Sequence, residues 1–104
     1  MSVEIRIEKE EAGRGGRYVA RIDGVDGEAE LVFTHHGPGR ISADHTDAPE
    51  SLRGTGVASA LVQRMIADAR KTGFKIVPLC PYVLAQYRKH PEWRDVMASA
   101  GSAP

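Results

Sequence analysis

Apolar and polar residues alternate along the first half of the chain, and short turn-forming stretches interrupt this alternation. A period of two is typical of strands that bury one face. The pattern predicts four strands, which begin near Val3, Tyr18, Glu28 and Arg40. The glycine-rich stretch 10–17 between the first two is predicted to be a turn. Because the connections are short, we expect the four strands to form an antiparallel meander.

The same alternation assigns each strand side chain to one of two faces of the sheet. In the third strand, one face carries Ala29, Leu31 and Phe33. In the fourth strand, one face carries Ile41, Ala43 and His45, and the other carries Ser42, Asp44 and Thr46. We therefore expect His45 to lie on the apolar face of the sheet.

The second half of the chain changes to the period of a helix. The apolar positions with helical spacing are Ala58, Leu61, Val62, Met65, Ile66 and Ala69. Gly73 is placed to end this helix as a left-handed cap. The stretch 74–79 then predicts a strand parallel to its neighbour, with pairing lost near Pro78, which has no N–H to donate. Pro81 suits the first position of a second helix, which Pro91 ends.

The composition fits a single domain over residues 1–104, with a core at about 3–93 and a tail at 94–104. Hydrophobic residues make up 41% of the chain and charged residues 27%, as in ordinary globular domains. Basic and acidic side chains number 14 each, and the resulting zero net charge argues against a nucleic-acid partner. No apolar run approaches the roughly 20 residues that span a bilayer, and the N-terminus has no signal-peptide pattern. We expect no membrane partner and a cytoplasmic location.

The first helix is preceded by two glycines, Gly54 and Gly56, although each glycine in a helix costs roughly 1 kcal/mol relative to alanine. Small residues at such a turn allow another molecule to approach the backbone. The free N–H groups and the positive dipole end of a helix start form an anion site, to which Arg53 adds a charge. The alternative is a tight turn that only starts the helix. The spacing matches neither a Walker loop nor a dinucleotide-binding turn.

The segment Arg53-Gly54-Thr55-Gly56-Val57-Ala58 resembles the R/Q-x-x-G-x-G/A signature of GNAT-type N-acetyltransferases. The order of predicted elements and the later segments "PLCPYV" and "HPEW" are similar to a minimal branch of that superfamily, which lacks the usual N-terminal helices. The resemblance extends from about residue 17 to about residue 93. It implies a single-domain α+β fold of the GNAT type and acetyl-coenzyme A as cosubstrate.

The resemblance also implies where coenzyme A binds. Its pyrophosphate would contact the turn and the helix start, at Arg53, Gly54, Thr55, Gly56, Val57, Ala58 and Ser59. Its pantetheine arm would lie where the fourth and fifth strands separate. Backbone groups would hold the arm and polarise the thioester carbonyl there, at Thr46, Asp47 and Ala48.

Acetyl transfer needs a nucleophile, a polarised carbonyl and a proton for the leaving thiolate. Cys80 is the one cysteine of the chain and precedes Pro81 at the predicted start of the second helix. The positive end of that helix would favour its thiolate form, so an acetyl-Cys80 intermediate is our hypothesis. The alternative is that Cys80 is a small buried hydrophobic residue.

Two further side chains are candidates for proton transfer. In the larger superfamily a tyrosine of this helix protonates the departing thiolate, and the resemblance gives that role to Tyr87, which otherwise packs in the core. His45 is a candidate base for the amine or for Cys80, and otherwise a structural residue. Asp44 and Asp47 are alternative bases.

The remaining aromatic and imidazole side chains are interpreted as structural. Tyr82 and Trp93 are expected to pack rather than to contact a ligand. The adjacent His35 and His36 point to opposite faces of a strand, and no ligand spacing supports them. We therefore predict no metal site.

We expect an enzyme that moves an acetyl group to an amine, directly or through Cys80. The alternative is a coenzyme A-binding module with little or no transferase activity, because the N-terminal helices that it lacks normally help to build the acceptor site. A structural or interaction domain would leave Gly54 and Gly56 without a purpose. The sequence does not identify the acceptor, which is a small molecule or a protein. We expect a monomer or a weak homodimer.

Overall fold

The computed structural model describes residues 4–98 and contains one five-stranded sheet in the order β1-β2-β3-β4-β5. The strands are β1 (Ile5–Ala12), β2 (Gly15–Ile22), β3 (Ala29–His35), β4 (Arg40–Asp47) and β5 (Lys75–Pro78). The first four pair antiparallel, and β5 pairs parallel to β4. The predicted meander, the parallel fifth strand and the α+β class are therefore confirmed.

The helices that the structure describes all follow the meander. They are α1 (Val57–Thr72), α2 (Pro81–Lys89) and two 3-10 helices, Glu50–Leu52 and Pro91–Val96. α1 ends at Gly73, whose φ is 93° and whose N–H donates to the Ala69 carbonyl, which confirms the left-handed cap. Within residues 4–98, no helix is long and apolar enough to cross a membrane.

One face of the sheet packs against α1, and we call it the core face. Its buried side chains are Tyr18, Ala20, Ile22, Ala29, Leu31, Phe33, Ile41 and Ala43. The buried side chains of α1 are Val57, Leu61, Val62, Met65, Ile66 and Ala69, so the predicted face is confirmed except that Ala58 is only half-buried. We call the opposite face of the sheet the outer face. It carries charged pairs such as Arg17 with Glu30.

The hairpin between β1 and β2 is much tighter than predicted. Only Gly13 and Arg14 connect the two strands, so most of the stretch 10–17 is paired and its assignment as a turn is wrong. Gly16 lies inside β2. A Cβ at that position would come within 2.6 Å of the Phe33 ring, so only glycine fits there. The glycine therefore reflects a close packing contact between strands rather than a wide turn. β1 begins at Ile5, and residue 3 lies outside the described residues.

β4 contains a bulge in its middle. Phe33 of β3 pairs with Ala43, but Val32, one residue earlier in β3, pairs with His45. Asp44 is therefore an extra residue that no β3 residue opposes. Such a bulge interrupts the alternation of side chains along the strand.

The bulge exchanges the faces of the residues that follow it. Residues directly opposite each other in an antiparallel pair share a face. Thr46 pairs with Leu31 and thus lies on the core face, whereas His45 lies on the outer face and is exposed. The prediction that His45 shares the face of Ala43 is wrong, because the prediction assumed an unbroken period of two.

The β4–β5 pairing ends at Ala43 and Pro78, as the missing N–H of proline predicts. β5 ends at this point, whereas β4 continues to Asp47. The packed part of the chain also continues beyond the expected limit near residue 93, because Val96 and Met97 are buried and Met97 forms a bridge with Ile76. Residues 99–104 of the expected tail lie outside the described part.

Candidate functional site

The turn before α1 has a backbone that requires glycine. Gly54 and Gly56 have φ values of 78° and 88°, in the left-handed region that side chains with a Cβ rarely adopt. Gly56 is the N-cap of α1 and provides no capping side chain. The helical hydrogen bonds begin with the N–H of Ala60, which donates to the Gly56 carbonyl. The amides of residues 57–59 therefore have no acceptor within the helix and are available to an anion.

A cavity of about 230 Å³ adjoins this turn. Its lining residues are Ala48, Leu52, Arg53, Gly54, Gly56, Val57, Ala58, Ser59 and Tyr82. The space where a Cβ of either glycine would project is open. The Arg53 guanidinium lies at the rim, with a long contact of 3.8 Å to Glu50 and a largely exposed side chain. The cavity thus combines free amides, one exposed cation and an apolar wall.

Cys80 is the N-cap of α2, as predicted, and Pro81 occupies the first turn. Its N–H donates to the Ala43 carbonyl at 2.8 Å. This bond connects the start of α2 to the last residue of β4 that pairs with β5. The thiol is 3% exposed. Its sulfur lies 3.3 Å from the hydroxyl oxygen of Thr46. A helix start is a position that reactive cysteines occupy, whereas the burial of this sulfur is typical of a structural cysteine.

The sequence profile of the GCN5-related N-acetyl-transferase family matches residues 17–96. The chain belongs to this family. Protein NATD1 from Xenopus tropicalis is 24% identical over 90 residues, which cover 86% of this chain and 81% of that protein. Protein NATD1 from Homo sapiens is 24% identical over 87 residues, covering 84% and 75%.

The fold is also that of the GCN5-related family. The solution structure of a GCN5-like protein from Staphylococcus aureus superimposes with a TM-score of 0.65 at 23% identity. The match covers 88% of this chain and 87% of that chain. The five-stranded mixed sheet with its crossover helix is therefore a shared architecture.

The structure separates the two tyrosines of α2. Tyr82 lines the cavity beside the turn, whereas Tyr87 lines a different groove together with Arg88 and Arg94. Burial raises the pKa of the Tyr82 phenol, and the electrostatic interaction with Cys80 raises this pKa further. Tyr82 packs against the hydrophobic core, as the sequence predicted, and it also lines the cavity.

The candidate bases lie on the outer face. His45 is exposed there, and the Asp44 carboxylate accepts hydrogen bonds from Thr34 and Ser42. The polar side chain that the structure brings to Cys80 is instead that of Thr46, for which sequence reasoning considered only the backbone. No local sequence signal indicates this contact, because it depends on the register shift between β3 and β4. Among residues 4–98, no cluster of three or more potential metal ligands exists.

Proposed function

We propose that this protein binds acetyl-coenzyme A at the start of α1 and transfers the acetyl group to an amine through Cys80. One cavity carries the proposal. It is lined by residues 57–59, whose amides are free, and by Tyr82 of α2, the helix that Cys80 caps. Pyrophosphate is the part of coenzyme A that those amides and Arg53 suit. The apolar wall at Leu52 and Val57 suits the uncharged arm.

The proposed transfer has two balanced steps. The Cys80 thiolate attacks the thioester carbonyl carbon, a new C–S bond forms, and the bond to the coenzyme A sulfur breaks. Coenzyme A leaves as a thiolate and takes up a proton. The amine nitrogen then attacks acetyl-Cys80, the amide forms, the Cys80 thiolate is regenerated, and the nitrogen releases a proton.

Tyr82 is the proposed donor for the leaving thiolate. Its side chain lines the cavity, and a tyrosine phenol is protonated at neutral pH and so has a proton to donate. Thr46 is proposed to donate its hydroxyl hydrogen to the Cys80 sulfur when that sulfur is a thiolate. The role of Tyr87 stays a prediction, and the Phe variants of the two tyrosines distinguish them.

A second candidate function is a coenzyme A-binding module without turnover. The observation that favours it is the low exposure of Cys80, at 3%, since an acceptor would have to reach a buried sulfur. Both functions predict binding of acetyl-coenzyme A. Only the transferase predicts an acetylated protein or an acetylated acceptor.

Intact-mass spectrometry after incubation with acetyl-coenzyme A tests the proposal, with calorimetric binding measured in parallel. We expect an adduct of about 42 Da on the natural chain and none on Cys80→Ala, while both bind the cosubstrate. Binding without an adduct would favour direct transfer or a binding module, which a screen of amine acceptors then separates. Absence of binding would contradict the proposal.

A further inference from the structure

The bulge in β4 is held by polar side chains that the proposed mechanism does not use. The Asp44 carboxylate accepts two hydrogen bonds of 2.5 Å, from the Thr34 hydroxyl at Oδ2 and from the Ser42 hydroxyl at Oδ1. Ser42 is buried, and its oxygen lies 2.8 Å from Nε2 of His36. Because the Ser42 hydrogen is committed to Asp44, the His36 nitrogen is the donor in that contact. Hydrogen bonds from a β3 residue and a β4 residue therefore hold Asp44, the extra residue of the bulge, in place.

The bulge decides which side chain faces Cys80. Without an extra residue, the register of the first half of β4 would continue and place His45 opposite Leu31 on the core face. With the bulge, Thr46 is opposite Leu31, and its hydroxyl oxygen lies 3.3 Å from the Cys80 sulfur. A shift of the register by one residue would therefore place the His45 imidazole, instead of the Thr46 hydroxyl, beside the Cys80 sulfur.

We propose that Asp44 is a positioning residue, whose two hydroxyl hydrogen bonds hold the bulge and so present Thr46 rather than His45 to Cys80. Two hydrogen bonds to a carboxylate are charge-assisted and hold its geometry firmly. Asp44 lies on the outer face with Thr34 and Ser42, so it acts on Cys80 through the backbone of β4. The catalytic consequence rests on the proposed function, but the bulge itself is measurable without acetyl-coenzyme A.

The rate at which a single introduced cysteine is alkylated shows whether its position in β4 faces the core or the solvent. Cys80 is the one cysteine of the chain, so the variant Cys80→Ala leaves none. A reporter is then introduced as His45→Cys or as Thr46→Cys, and its rate of reaction with iodoacetamide is measured at fixed pH. We expect the reporter at position 45 to react faster, because His45 is exposed and Thr46 is half-buried.

Asp44→Ala is then added to each reporter. We expect the reporter at position 45 to slow and that at position 46 to accelerate, each about tenfold, because two hydrogen bonds to a charged group no longer oppose the regular register. Asp26→Ala is the control, since Asp26 is an exposed carboxylate outside β4. It should change neither rate. Unchanged rates in Asp44→Ala, or an increase of both rates as in general loosening, would overturn the proposal.

Thr34→Val keeps the test decisive if Asp44→Ala does not fold. Valine preserves the shape of threonine and removes one of the two donors to Asp44. We expect shifts in the same opposite directions, about threefold each, because one hydrogen bond remains. Equal rates with and without Thr34→Val would overturn the proposal. These rates do not depend on acetyl-coenzyme A, so a failure of the proposed function leaves the test intact.

Discussion

The hydroxyl oxygen of Thr46 lies 3.3 Å from the sulfur of Cys80, although 34 positions separate the two residues in the chain. One residue belongs to the end of β4 and the other caps α2. They meet just beyond Ala43 and Pro78, the last residues that pair β4 with β5. The end of the β4–β5 pairing, a thiol and a hydroxyl thus coincide at one point of the fold.

Thr46→Val should slow the acetylation of Cys80 about tenfold, since a hydrogen bond to a charged group contributes roughly 1.5–3 kcal/mol. Affinity for acetyl-coenzyme A should change little, because the proposed contacts of residue 46 with the cosubstrate are those of its backbone. Quenched-flow mass spectrometry measures the rate. Thr72→Val, at the far end of α1, is the matched control. Equal acetylation rates in the two variants would contradict the role of the Thr46 hydroxyl.

Gly56→Ala should lower both stability and cosubstrate binding. The φ of 88° strains any residue with a Cβ by roughly 1–2 kcal/mol, and the new methyl group would occupy the open space beside the amides. Gly24→Ala carries the same kind of strain, at a φ of 83°, in a turn outside the cavity lining. Thermal unfolding should show similar losses for both, whereas calorimetry should show weaker binding only for Gly56→Ala. Equal affinities for acetyl-coenzyme A would argue against the anion site.

Tyr82→Phe should slow the release of coenzyme A about a hundredfold, which is within the range for loss of a general acid. The pKa of Tyr82 is raised by burial, so the donor form persists to a more alkaline pH than in free tyrosine and is lost only above that raised pKa. The natural chain should therefore show a falling alkaline limb that Tyr82→Phe lacks. Single-turnover release of the thiol, followed against pH, measures this limb. If Tyr87→Phe shows the larger loss instead, the donor is Tyr87.

Arg70→Ala should lower the thermal stability at neutral pH, because Arg70 attaches the second 3-10 helix to α1. Its Nε and Nη2 donate to the Asp95 carboxylate at 3.0 and 3.1 Å. This hydrogen bonding lowers the pKa of Asp95 in the folded state. The stabilisation is therefore present above the ordinary aspartate range and is lost as the pH falls through the lowered pKa.

The difference in Tm between the natural chain and Arg70→Ala should consequently disappear in strong acid. Circular dichroism melts from pH 7 to pH 2 follow it. Lys71→Ala, which removes the adjacent basic residue in the last turn of α1, is the control and should leave Tm nearly unchanged. A difference that persists at pH 2 would show that Arg70 acts through packing rather than through Asp95.

Local sequence determined most of the architecture. The alternation of apolar residues predicted the meander, and the helical spacing from Leu61 to Ala69 predicted the buried face of α1. Gly73 and Pro81 marked helix ends because a left-handed cap and a first-turn proline depend only on neighbouring backbone. The turn at Gly54 and Gly56 was found for the same reason.

Tertiary structure alone decided the surroundings of Cys80. The place of Gly16 depends on the Phe33 ring of another strand, and the bulge at Asp44 depends on a hydroxyl group contributed by Thr34. Alternation along one strand carries no information about an extra residue relative to its partner strand. The sequence therefore determined that a cysteine caps α2, whereas contacts between strands determined that Thr46, and not His45, meets its sulfur.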